Sequence, residues 1–111
     1  MTPARINFTI YQGTTFEKVF KFDDDFDLTG YTAVLIAKLE KSSTTTLITS
    51  VAGSPNCTLT ISIGEGTITW DMTDEETAAL DFEVCEWQME LTIAGDTRRY
   101  FYGKLFLDKE L

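Results

Sequence analysis

The chain has 111 residues, with 18 acids against 9 bases for a net charge of −9, 43% hydrophobic and 13% aromatic residues, and no histidine. This length suits one domain, residues 1–111, with a single core, and the hydrophobic content excludes a disordered chain. Ten acids and no Lys or Arg fall between residues 42 and 97, so much of the surface repels phosphate and no nucleic-acid-binding stripe is expected.

The opening, MTPARINFTIY, lacks the long apolar stretch of a secretory leader, and no apolar run approaches the ~18 residues of a membrane span. Synthesis in a reducing compartment is therefore expected, with Cys57 and Cys85 as reduced, inward thiols. From there the dominant hydrophobic period is two. Ile6, Phe8 and Ile10 alternate with polar neighbours, then Phe16, Phe20 and Phe22. Asp23, Asp24, Asp25 and Asp27 follow, and the turn Asp27-Leu28-Thr29-Gly30 leads into a long strand with Tyr31, Ala33, Leu35, Ala37 and Leu39 on one face. Val34 and Ile36 on its other face predict a strand covered on both sides. In that turn Asp27 can accept from following backbone N–H groups, Gly30 can take positive φ, and Leu28 can tuck beneath.

A Ser/Thr loop (42–46) and a weak strand (47–51) precede the alternating run Cys57, Leu59, Ile61, Ile63 and the run Ile68, Trp70, Met72. TDEETAALDF then interrupts the pattern. Thr73 and Glu76 stand three apart as a capping box, and Asp74 and Glu75 suit the helix N-terminus. One helical turn near 73–80 is predicted, crossing between two sheets. The chain ends in two long strands, one carrying Cys85, Trp87, Met89 and Leu91, the other running from Arg98 to Leu107. Seven or eight short strands at this spacing predict an antiparallel sandwich or barrel.

Chemistry is sparse. Without histidine the usual general base, the commonest zinc ligand and every Ser-His-Asp or Cys-His arrangement are missing. The aspartates of residues 23–27 lack the glycine and distant glutamate of a calcium loop and are expected to solvate a strand end rather than hold a metal. Glu86 and Glu90 lie about 13 Å apart on one strand face, too far for a glycosidase pair without a cleft. Trp70 and Trp87 fall in phase with apolar neighbours and are expected in the core. No catalytic residue and no cofactor are expected.

Loop length sets the register of the last hairpin. A three-residue loop, Ala94-Gly95-Asp96, pairs Met89 with Phe101, Trp87 with Gly103, Cys85 with Leu105, Glu90 with Tyr100 and Glu86 with Lys104. Gly103 then makes room for the Trp87 indole, and Tyr100, Tyr102 and Phe106 point outward. Such aromatics mark either a partner surface or a strand covered by the chain's own loop or first strand.

IYQGTTF (10–16), DLTGYTA (27–33), GTITWDMTDEETAAL (66–80) and RRYFYGKLFL (98–107) form an ordered series. Together they resemble a family of small phage and prophage proteins of tail and baseplate gene clusters, and the N-terminal domain of siphophage baseplate upper proteins. The resemblance implies an immunoglobulin-like β-sandwich serving as a non-enzymatic virion building block, in several symmetry-related copies, with other virion proteins as partners. It places the protein in the virion after synthesis in the host cytoplasm. The surfaces expected to act are Tyr100, Tyr102 and Phe106, the segment Met1–Arg5 with Arg5, and the acidic middle. Alternatives are a head decoration or neck protein, or a module binding host glycans through Tyr11 or Tyr31.

Overall fold

The computed structural model describes residues 3–51 and 55–110. Its described residues hold nine strands, β1 (Ala4–Arg5), β2 (Phe8–Tyr11), β3 (Phe16–Lys21), β4 (Thr32–Lys38), β5 (Ile48–Thr49), β6 (Thr58–Ser62), β7 (Thr67–Met72), β8 (Val84–Ile93) and β9 (Asp96–Asp108), with one helix, α1 (Asp74–Ala78), between β7 and β8. They form two sheets. The larger runs β1-β9-β8-β4-β5, with β2 also on β9, and the smaller runs β3-β7-β6. The two layers face each other across one core, the arrangement of an immunoglobulin-like β-sandwich.

The period-two pattern places the core as expected. Ile10, Phe20, Leu35, Ile68, Trp70, Met72, Trp87, Met89, Leu91 and Leu105 are all buried. Trp70 from the small sheet and Trp87 from the large one meet at 5.6 Å between centroids, and Phe8 stands edge-on to both at 5.2 and 5.3 Å. Offset and edge-to-face geometries let the positive ring edge meet a negative ring face. Cys57, just before β6, and Cys85, in β8, are buried free thiols. Burial, and secondarily the nearby Glu76 and Glu86 respectively, push each thiol up to about 12.

Two features depart from the sequence reading. The sheet is not wholly antiparallel: β1 and β2 both run parallel to β9, with Ala4 beside Phe101 and Phe8 beside Leu105. The first strand is also split at Ile6-Asn7. There the Ile6 N–H donates to Tyr102 O at 2.8 Å, while the Asn7 side-chain oxygen accepts from Lys104 N at 2.8 Å in place of a backbone partner. The Ile6 carbonyl turns inward to accept from Trp87 Nε1 at 3.0 Å. A Cβ on Gly103 would collide with that carbonyl and with Asn7 Oδ1. Gly103 thus makes room for the backbone of the first segment, not for the indole.

The helix forms as its sequence demands. Thr73 Oγ1 accepts from Glu76 N at 3.1 Å, and the Glu76 carboxylate accepts from Thr73 N at 2.9 Å, closing the capping box. Leu80 and Phe82 drop into the core behind it. Thr77 is fully buried, donating to Thr14 O at 2.7 Å and accepting from Gly13 N at 3.0 Å. Gln12 Nε2 donates to Leu80 O at 2.8 Å. The turn after β2 is thereby fastened to the crossing between the sheets.

Gly103→Ala should lower stability by about 1–3 kcal/mol, because the new methyl meets backbone that cannot give way. Gly64→Ala, where a Cβ meets nothing within 4 Å, should change it little; urea titration of both variants checks the contrast. Cys57 and Cys85 should both resist iodoacetamide at about pH 8, near the ordinary thiol value, until denaturant is added. Intact-mass spectrometry reads this directly, and labelling of the native protein would contradict the burial.

Candidate interaction face

The β8–β9 hairpin is longer than the small sheet opposite it, and its outer end is closed by the 22–31 loop. Asp27 Oδ1 accepts from Thr29 N at 2.9 Å and Thr29 Oγ1 at 2.7 Å, Gly30 has φ +83°, and Leu28 is buried. The turn has the construction expected of it. The two bonds from Thr29, side chain first and backbone second, hold the Asp27 carboxyl below the ordinary carboxylate value. Asp24 reaches Lys21 at 3.7 Å, and among the described residues no three acid or thiol side chains converge as a metal set.

The hairpin tip differs from the expected one. Ile93 faces Asp96, so the loop is the pair Ala94-Gly95, with φ values of 50° and 81°. Positive φ at both central residues is the tight turn whose twist matches a hairpin. Glu90 then faces Arg99, not Tyr100, and a bulge next to Met89 restores Met89 opposite Phe101. From there to Val84 opposite Phe106 the register is the expected one.

The extra residue is Tyr100, and its side chain does not join the outward set. It packs against Phe26 at 5.7 Å, Phe22 at 6.3 Å and Tyr31 at 6.5 Å between centroids. Burial, then the adjoining Tyr31 hydroxyl, raises its pKa. A bulge puts two successive residues on one side of a strand, so Tyr100 and Phe101 both serve the interior. Tyr31 is held in the same cluster, 5.5 Å from Phe26.

Tyr102 and Phe106 do face outward, on the exposed side of the larger sheet. Four rows cross β9 and β8 there: Arg99 beside Glu90, Tyr102 beside Gln88, Lys104 beside Glu86 and Phe106 beside Val84. β4 extends the first three rows with Val34, Ile36 and Lys38. Phe106 is 43% exposed and Val84 40%, and Tyr11, beside Asp108 on β2, is 58% exposed. Val34 and Ile36 belong to this face, so β4 is covered by the chain on one side only. Arg99 lies over the Tyr102 ring, 4.6 Å from its centroid. A groove of about 260 Å3 runs between Ile36, Lys38, Gln88, Arg99 and Tyr102. Arg5 sits at the rim, beside Tyr102 on β1 and exposed, while Met1 and Thr2 of the expected N-terminal surface lie outside the described residues.

Val84 is the part of this face that the sequence reading missed, and Tyr11 was expected only as a glycan-stacking residue. Their alternation already placed them opposite inward neighbours, but only the parallel pairing of β2 with β9 puts Tyr11 on this face, beside Asp108 and one row beyond Phe106.

No protein-family model and no curated protein matches the chain. Among solved structures it is similar to the extracellular domain of the voltage-gated sodium channel beta4 subunit, at 12% identity and a TM-score of 0.55, covering 100% of this chain and 97% of that one. That domain forms parallel homodimers, which are described as explaining its role in cell-cell adhesion. At this identity the likeness shows a shared fold.

The depressed Asp27 carboxyl has a pH consequence. A group whose pKa is lower in the folded chain adds stability above its unfolded value of about 3.9 and loses it as pH falls through the folded value. Asp27→Asn should therefore flatten the acid limb of the stability curve below about pH 4. Thermal unfolding followed from neutral pH downward checks this; an acid limb as steep as the parent's would refute it.

Proposed function

We propose that this chain is a non-enzymatic assembly domain, a building block of a bacteriophage tail or baseplate, present in multiple copies and acting through the outer face of its larger sheet. The observation that carries the reading is the outward placement of Phe106 beside Val84, with Tyr102 two rows away past Lys104 and Tyr11 one row beyond Phe106, on adjoining strands of one face. Aromatics with polar neighbours are enriched in protein interfaces and dominate their energy. The ordered motif series from IYQGTTF to RRYFYGKLFL supports the virion setting. A sequence without histidine fits work done by surfaces. The sodium channel domain, also a sandwich, likewise works through contacts between copies.

Within a virion, a head decoration or neck position uses the same face. The glycan-binding alternative is weakened at Tyr31, whose ring is packed against Phe26 and Tyr100.

Tyr102→Ala and Phe106→Ala should each keep the domain folded, within about 1 kcal/mol of the parent, as for surface substitutions. Each should sharply reduce incorporation of a tagged chain into phage particles. Electron microscopy of labelled particles should place the parent chain in a ring about the tail axis. Normal incorporation of both variants would remove this face from assembly, and label at fibre tips alone would favour glycan recognition.

A further inference from the structure

The charges of this face are arranged by strand, and that arrangement selects an occupant. β9 presents Arg99 and Lys104, β8 presents Glu90 and Glu86, and each base stands beside an acid in register. Yet none of the four is in an ion pair: among the described residues those are Lys21–Asp24, Arg98–Asp96 and Lys109–Asp81. The rows from Arg99 to Phe106, with Lys38, carry three bases and two acids on a chain whose total is −9. Two copies of so acidic a chain meet with least repulsion where acids are few and bases stand in register to offset them.

We propose that this face docks a second copy of the same chain, related by a two-fold axis along the seam between β8 and β9. The inference rests on the reading of the face as an assembly surface and names its partner. Sheets packed face to face keep their strands roughly aligned, which leaves two kinds of axis. An axis along the seam lays β8 of one copy over β9 of the other without changing rows. Each cross-strand pair then recurs between chains: Arg99 over Glu90 of the second copy, Tyr102 over Gln88, Lys104 over Glu86 and Phe106 over Val84, each occurring twice. Bases meet acids and Phe106 meets Val84 in every instance. An axis across the strands, through the Tyr102–Gln88 row, instead lays Arg99 over Lys104 and Glu90 over Glu86, four like-charge contacts. Like charges brought together at an interface are strongly unfavourable. The charge pattern thus favours the arrangement in which the strands of the two copies run parallel.

The test uses charge reversal on the whole chain at about 150 mM salt, where the Debye length is about 8 Å and overall repulsion is screened. Glu86→Lys with Glu90→Lys makes the seam wholly basic; Arg99→Glu with Lys104→Glu makes it wholly acidic. In sedimentation equilibrium the parent should dimerise, each double variant alone should associate at least about tenfold more weakly, and their equimolar mixture should recover a heterodimer. Circular dichroism reports whether each double variant is folded; for any that is not, the single pair Glu86→Lys and Lys104→Glu replaces it in the same mixing design. A parent that stays monomeric at about 1 mM, double variants that dimerise like the parent, or folded variants whose mixture stays monomeric would each overturn the proposal. A monomeric parent that still enters particles through Tyr102 and Phe106 would sink the second-copy inference alone. A parent dimer that recovers by mixing, with no particle incorporation, would sink the virion reading alone.

Discussion

The hydrogen bond from the Trp87 indole to the Ile6 carbonyl, made over the bare Cα of Gly103, is the constraint on which the rest of this sandwich depends. It fixes where the first segment crosses the last strand. Because the carbonyl points inward, it is lost to the β1–β9 ladder, although the Ile6 N–H still donates to Tyr102 O, and Asn7 supplies a side-chain oxygen to Lys104 N instead. Past that kink β2 resumes its parallel pairing, delivering Phe8 into the Trp70–Trp87 stack and Ile10 into the core. A side chain at position 103 would push the first segment off the sheet and open the aromatic stack to water. Burying the indole N–H against a carbonyl removes the penalty that a buried unpaired donor carries. Trp70 makes the contrast, since its Nε1 is buried with no acceptor among the described residues.

The same junction shapes the surface. With β1 and β2 on β9, the larger sheet gains a wide outer face, and the smaller sheet keeps β3 at its edge. Thr9 then continues the row of Phe106 and Val84, Tyr11 stands one row beyond beside Asp108, and Arg5 stands beside Tyr102. Had the first strand paired with β3 instead, β9 would be an edge and its outward aromatics a narrow strip. The bulge at Tyr100 divides the labour along β9. On the tip side it turns an aromatic inward to close the end of the sandwich under the Asp27–Gly30 turn; on the far side it leaves Tyr102, Lys104 and Phe106 outward in register with β8.

Acidity and assembly are compatible because the charge is segregated. The helix and the crossing after it hold Asp74, Glu75, Glu76, Asp81 and Glu83, where the first helical turn favours negative charge. The bases of β9 lie on the broad outer face. The charge is thus divided between an acidic crossing and a face where bases and acids alternate.

What the sequence determined by itself was local or periodic. Alternation of apolar residues named the core, including both tryptophans and both thiols, because a strand's side chains must take opposite sides. The Asp27-Leu28-Thr29-Gly30 turn and the Thr73–Glu76 box were legible because each closes hydrogen bonds within three residues. What only the tertiary structure decided was long-range or depended on a single inserted residue. Parallel pairing of the first segment joins residues some hundred positions apart, and no local pattern encodes a direction of pairing. The tip register turned on whether the loop held two residues or three. Either choice satisfied the alternation from Met89 to Cys85, and the bulge absorbed the difference at Tyr100. That one residue moved from the outer face to the interior because a slip of one position in a strand exchanges its two sides.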